Sequence, residues 1–306
     1  MNFDMELKRR QAAAEAVIAC FLPKEEGDAK TVIGAMNYSV RSGGKRLRPV
    51  LLKAACEAAG GRTELAEPFM AAIEMIHCYS LVHDDLPEMD NDELRRGLPT
   101  THVKYGQAMA VLAGDGLLNL AFETALLVFR WADPEEVPAC IRALRILAEK
   151  AGIRGMVGGQ CLDVEAEEKG LSLTKEQLLF VYANKTSALL QAALGCGAAL
   201  AGADEETIAE FFEAGYELGI AFQLQDDLLD IEGSTEELGK PVGSDERNGK
   251  KTYVSFLGTE EAKREQKRLS ESAAERIGRL KLQDEKQEEA ALFLKELILH
   301  LVSRRK

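Results

Sequence analysis

Two runs of aspartates close apolar, helix-like stretches of this chain, and they restrict what it can fold into more than any other feature. The first reads Asp84-Asp85-Leu86-Pro87-Glu88-Met89-Asp90, after the apolar stretch 73–82. The second reads Asp226-Asp227-Leu228-Leu229-Asp230, after 218–224. Carboxylates crowded against apolar surface are costly unless cations neutralise them. Two such clusters brought face to face would bind hard cations. Mg2+ suits them, because it takes oxygen ligands, keeps part of its water and bridges carboxylates to phosphates. A solvated acidic surface is the alternative, and for residues 90–93 taken alone it is the better reading.

The second cluster has simple geometry. Gly219, Gln223, Asp226 and Asp230 follow spacings of four, three and four and share one helix face, with Asp227 beside it. Asp84 and Asp90 are six apart and do not share a face of a straight helix. Pro87 removes a backbone donor and disfavours helix at Leu86, so the helix is expected to end or bulge there and to swing Asp90 back toward Asp84. His77 stands two turns before Asp84 on the same face, roughly 10 Å away.

The fold class follows from periodicity. Alternating Val, Ile and Thr runs are nearly absent, while Ala-, Leu- and Glu-rich segments of period near 3.6 predict helices over 65–81, 108–129, 137–150, 175–200, 205–230 and 285–302. Residues 1–22 read as a further amphipathic helix and 259–289 as a solvated, charged helical face. With eight prolines and no Gly/Ser spacer, the 306 residues are expected to form one all-α domain, 1–306.

The net charge of −13 argues against a nucleic-acid partner and, more mildly, against an anionic membrane surface. An anionic substrate would need local cations. The six cysteines show neither Cys-x-x-Cys nor zinc-type spacing with the four histidines, and read as small buried hydrophobes of a reducing compartment. No run of 18 uninterrupted apolar residues and no leader pattern is present, so a cytoplasmic protein without membrane insertion is expected.

Several polar segments supply cations. Arg41-Ser42-Gly43-Gly44-Lys45-Arg46-Leu47-Arg48-Pro49 suits an anion, with glycine admitting a ligand to the backbone and arginine gripping phosphate oxygens; a surface loop before a basic helix start fits equally. Arg95 and Arg96 follow the first cluster in a loop marked by Gly97 and Pro99. Residues 158–163 (Gly-Gly-Gln-Cys-Leu-Asp) read as a polar break in an apolar helix. Asn184-Lys185-Thr186-Ser187 is either a solvated stripe or a set of partnered polar groups. Lys240 and Lys250 lie in Gly-containing loops beyond the second cluster, and Arg304-Arg305-Lys306 is a frayed tail or a basic lid.

These motifs in this order resemble the trans-isoprenyl diphosphate synthases, and among them the bacterial farnesyl diphosphate synthases. The likeness runs over about residues 30–257: Gly-Gly-Lys-Arg-Leu-Arg-Pro at 43–49, the first aspartate cluster with Arg95-Arg96-Gly97, Gly159-Gln160-x-x-Asp163 and Lys185-Thr186. It continues through Phe222-Gln223-x-x-Asp226-Asp227-x-x-Asp230 to Gly239-Lys240-Pro241 and Gly249-Lys250-x-Thr252-Tyr253. The resemblance implies a helical bundle around a deep cavity, usually a homodimer, that condenses isopentenyl diphosphate with dimethylallyl and geranyl diphosphate to give (2E,6E)-farnesyl diphosphate.

It further implies that Lys45, Arg48, His77 and Arg96 bind isopentenyl diphosphate, and that Asp84, Asp85, Asp90 and Asp226 hold three Mg2+ with Asp227 and Asp230 in support. Arg95, Lys185, Lys240 and Lys250 would grip the allylic diphosphate. Thr186 and Gln223 would face the developing cation, while Asp163 and Asp245 would support their neighbours; Glu88 is an extra acid to which the resemblance assigns no role. Tyr79, with Ser80 beside it, would form the cavity floor that stops chain growth. Three alternatives remain. A terpene cyclase would not need the second aspartate cluster or the Lys45/Arg48 pocket. A non-catalytic subunit of a heteromeric prenyltransferase tends to lose an aspartate motif. A geranylgeranyl diphosphate synthase differs only in product length.

Overall fold

Helix α4 (Thr63–Asp84) carries the first aspartate cluster at its C-terminal end and α11 (Glu205–Glu232) carries the second near its own. In the computed structural model, which describes residues 2–232 and 252–303, the other helices are arranged to hold these two. In chain order they are α1 (Phe3–Cys20), α2 (Lys30–Arg41), α3 (Leu47–Ala58), α5 (Thr101–Tyr105) and α6 (Gln107–Leu126), which runs on in a 3-10 turn (Leu127–Arg130). Then come α7 (Val137–Ala151), α8 (Met156–Glu168), α9 (Lys175–Val181) and α10 (Ser187–Leu200). After α11 follow α12 (Tyr253–Leu257), α13 (Thr259–Gly278) and α14 (Glu285–Ser303).

The middle of the bundle is α10, which packs on α3, α4, α7 and α11. All its residues but Gln191 are buried, and most are Ala, Gly or Leu. Small side chains let neighbours come close: a methyl group on Gly197 would stand 2.7 Å from Ala55 Cβ. Around this axis α4 packs on α3 and α6, α11 on α13, and α14 on α3 and α13. One continuous apolar core joins them.

Four features depart from the sequence-based expectation. Residues 158–163 are no break, because α8 runs through them unbroken; the chain turns earlier, at 152–155. The expected helix over 175–200 is interrupted by a π turn, Tyr182–Thr186, between α9 and α10. The loop after the first cluster contains a short antiparallel hairpin, β1 (Leu94–Arg95) with β2 (Leu98–Pro99), registered Leu94 to Pro99 and Arg95 to Leu98. Its two-residue turn puts both Arg96 (φ 54°) and Gly97 (φ 76°) in the left-handed region, as such tight turns demand. The charged segment after 259 is solvated on one side only: Ala262, Leu269, Ala273 and Ile277 of α13 are buried.

The cysteines also divide. All six are free thiols, but Cys20 and Cys161 are exposed rather than buried. The stretch Gln107–Arg130 is long and apolar enough by composition to cross a membrane. Here its inner side packs on α2 and α4, while Val111, Leu112, Leu126 and Phe129 are exposed.

Candidate active site

Pro87 does what its chemistry dictates: α4 stops at Asp84 and the chain folds back on itself. The Leu86 amide donates to His83 O, the Asn91 amide to Leu86 O, and the Asp90 amide to Asp84 O at 2.8 Å. The turn brings Asp90 beside Asp84 although six residues separate them. Asp84 lies half-buried, and burial pushes its carboxyl up to about 6, with Lys185 pulling it down and Asp90 and Asp85 pushing it further up. Gln160 Nε2 donates to Asp84 Oδ1 at 2.7 Å.

Asp84 opens onto a cavity of about 650 Å³. Arg48 of α3, His77 of α4, Lys185 and Thr186 of the π turn, and Gln223 and Asp226 of α11 also line it. Its apolar lining includes Met89, Met156, Val164, Leu189 and Phe222. Tyr79 and Ser80 line it as well; the Tyr79 ring is buried and meets His83 edge-on, with centroids 5.9 Å apart.

The polar side chains are partnered in pairs. Lys185 Nζ donates to Asp163 Oδ2 at 2.6 Å, and Thr186 Oγ1 to Gln223 Oε1 at 3.1 Å. The stretch 184–187 is therefore a partnered set in part, not a solvated stripe. Arg48 Nε and Gln160 Oε1 are exceptions: both are buried and find no hydrogen-bond partner among the described residues. A buried polar atom without a partner is rare and costly, and these two border a cavity that can admit one. Burial, with the guanidinium groups of Arg48 and Arg96, holds His77 well below the usual imidazole range, so it is neutral near pH 7.

Other candidates lie outside the cavity. Asp85 is buried and bound by Arg95, whose Nε donates to Asp85 Oδ1 at 2.7 Å; together with Arg96 they line a smaller pocket between α2 and the hairpin. Burial pushes the Asp85 carboxyl up and the Arg95 bond pulls it down. Asp227 and Asp230 are buried in α11, and the Tyr182 hydroxyl donates to Asp227 Oδ2 at 2.6 Å. Lys45 is exposed. Glu88 is exposed too. Lys240, Asp245, Lys250 and the tail Arg304-Arg305-Lys306 lie outside the described residues.

Two residues went unread in the sequence. Arg46, taken as one cation among several, is buried: it bonds Glu74 at 2.7 Å, Glu15 at 2.5 Å and Val40 O, tying the loop before α3 to α4 one turn before His77. Gly44 (φ 141°) seats a side chain: a methyl group there would stand 2.9 Å from the Arg96 guanidinium. No sequence signal separates a glycine that admits a ligand from one that seats a side chain.

Among the described residues no three His, Cys, Asp or Glu side chains converge to enclose an ion by themselves. The oxygen donors are instead divided between α4 and α11 around one cavity, Asp84 with a raised pKa among them. Such a donor set fits Mg2+, which is held through one or two carboxylates together with substrate phosphates.

A family model described as polyprenyl synthetase matches residues 29–291. A farnesyl diphosphate synthase of Geobacillus stearothermophilus is 45% identical over 86% of this chain and 87% of its own length. A geranylgeranyl diphosphate synthase of Cyanophora paradoxa is 43% identical over 90% and 91%. The solved FPP/GFPP synthase of Zymomonas mobilis superposes with a TM-score of 0.85 at 32% identity, covering 99% of both chains.

Proposed function

This chain belongs to the polyprenyl synthetase family, and from that premise we infer that it is a trans-prenyltransferase that makes farnesyl diphosphate from isopentenyl, dimethylallyl and geranyl diphosphates. The observation that carries the reading is a single cavity where Asp84 and Asp226, from two aspartate motifs, meet the cations Arg48 and Lys185 and a largely apolar wall. The whole chain, 1–306, acts as one domain.

Asp84, Asp85, Asp90 and Asp226 would hold Mg2+, three ions in all, with Asp227 and Asp230 in support; Asp85 would join by giving up Arg95. Bound there, the metal supplies positive charge to the diphosphate leaving group. Arg95 and Lys185, with Lys240 and Lys250, grip the allylic diphosphate, and the same charges favour ionisation of its C–O bond. The Thr186 hydroxyl and Gln223 amide oxygen, already bonded to each other, direct negative dipole toward the allylic cation. Leu189, Phe222 and Met156 keep water from it. Arg48, with its open Nε, binds the diphosphate of isopentenyl diphosphate beside neutral His77, Lys45 and Arg96. The alkene attacks the allylic carbon, and the proton lost goes to the released pyrophosphate. A second copy of the chain covers the exposed apolar side of α6, so the working form is a homodimer in the cytoplasm.

The test is direct. Purified chain with Mg2+ and both five-carbon substrates is expected to release pyrophosphate and yield a fifteen-carbon product by mass spectrometry. No pyrophosphate release would overturn the reading; a twenty-carbon product would move the chain beside its geranylgeranyl relatives. Tyr79→Ala should lengthen the product to twenty carbons or more, because further growth in the wild type overlaps a packed ring at a cost of roughly 1–3 kcal/mol. An active variant that still stops at fifteen places the floor elsewhere.

A further inference from the structure

The π turn delivers Lys185 and Thr186 to the cavity, and nothing in its sequence, Tyr-Ala-Asn-Lys-Thr, breaks a helix. Its cause lies in what touches it. Ser187 returns both its amide and its hydroxyl to Tyr182 O, the hydroxyl at 3.1 Å, which closes the wide ring. On one side the turn rests on α8 at Gly159. A methyl group there would overlap the Lys185 backbone nitrogen and stand 2.8 Å from Asn184 Cβ. On the other side it rests on α11 at Gly219, where a methyl group would overlap the Ser187 hydroxyl and stand 2.5 Å from Ser187 Cα.

Both contacts have the same layout. Asp163, which binds Lys185, stands four residues after Gly159; Gln223, which accepts from Thr186, stands four residues after Gly219. Residues four apart share a helix face. Each helix therefore offers a bare backbone patch for the turn and, one turn on, a side chain that takes hold of what the turn presents.

We propose that Gly159 and Gly219 are positioning residues: two bare helix patches that clasp the π turn and so set Lys185 and Thr186 for the allylic diphosphate. The proposal rests on the function inferred above. Neither glycine has a positive φ, so alanine brings no backbone strain and favours the helix. A loss in Gly159→Ala then comes from pressure on the turn.

The experiment compares wild type, Gly159→Ala and Gly215→Ala by circular dichroism, steady-state kinetics and calorimetric titration with pyrophosphate and Mg2+. Gly215 is a matched control, because a methyl group there would stand 2.7 Å from Gln191 Cα on α10, away from the turn. Gly159→Ala is expected to fold, to lose at least about tenfold in kcat/KM for geranyl diphosphate and in pyrophosphate affinity, and to keep KM for isopentenyl diphosphate within about twofold. Gly215→Ala is expected to change both substrates alike. Wild-type values in Gly159→Ala, or equal losses for both substrates, overturn the proposal. If Gly159→Ala does not fold, Gly219→Ala presses the same turn from the other side and is judged by the same criteria. Should the wild type condense nothing, the functional reading falls and pyrophosphate affinity alone decides the inference.

Discussion

The two aspartate clusters are alike in sequence and unlike in construction. The first sits in a turn, where backbone hydrogen bonds bring Asp90 to Asp84, Arg95 occupies Asp85, and Asp90 faces solvent. The second stays within a helix: Asp227 and Asp230 are buried, and Asp227 is fixed by a tyrosine from the π turn. One cluster is held by backbone hydrogen bonds of a turn and by an ion pair. The other is held within a packed helix. The two walls of the cavity are thus built by different means.

The sharpest way to break this comparison is to remove one carboxylate from each wall. Asp84→Ala and Asp226→Ala should each lower turnover at least about a hundredfold, as loss of a preorganised charge-stabilising group does, and excess chelator should abolish activity. Near-normal rates in either variant would leave that wall without a part in the reaction. Stability separates the walls next. Tyr182→Phe removes one donor from the buried Asp227 carboxylate and should cost about 1.5–3 kcal/mol in urea unfolding. No loss would mean that the helical wall does not depend on that bond.

The wall built from the turn should respond with the opposite sign. The fold holds Asp84 at about 6 instead of 3.8, so its charge opposes folding above pH 6, and that penalty fades as the pH falls toward 4. In metal-free protein Asp84→Asn should therefore gain roughly 1–2 kcal/mol at pH 7 and nothing near pH 4. A gain that does not depend on pH would show that the carboxylate is not strained by burial.

Much of the fold was open to reading because helical periodicity is a local signal. The boundaries of α4, α7, α11 and α14 fall within a few residues of the expected ones. The return of Asp90 to Asp84 followed from one proline. What stayed hidden depends on contacts between distant segments. The π turn has a helical sequence, and what sets it apart is its close contact with Gly159 of α8 and, through Ser187, with Gly219 of α11. Gly158-Gly159 looked like a break because glycine is a poor helix former, yet α8 is continuous and Gly159 serves the surface opposite it. Arg46 resembled the cations on either side of it, and only its burial between Glu15 and Glu74 sets it apart.

The pairing of charges around the cavity has a consequence for how ligands enter. Lys185 is taken by Asp163, Arg95 by Asp85, and Asp84 by Gln160. On the function inferred above, an arriving diphosphate would meet cations already drawn partly out of water. Lysine and arginine carry several N–H donors, so each could take a phosphate oxygen while its carboxylate still orients it. Where a carboxylate is released, as Asp85 would be, it would become an oxygen donor beside the polyanion, and a divalent cation and the diphosphate would then raise each other's affinity by the same factor.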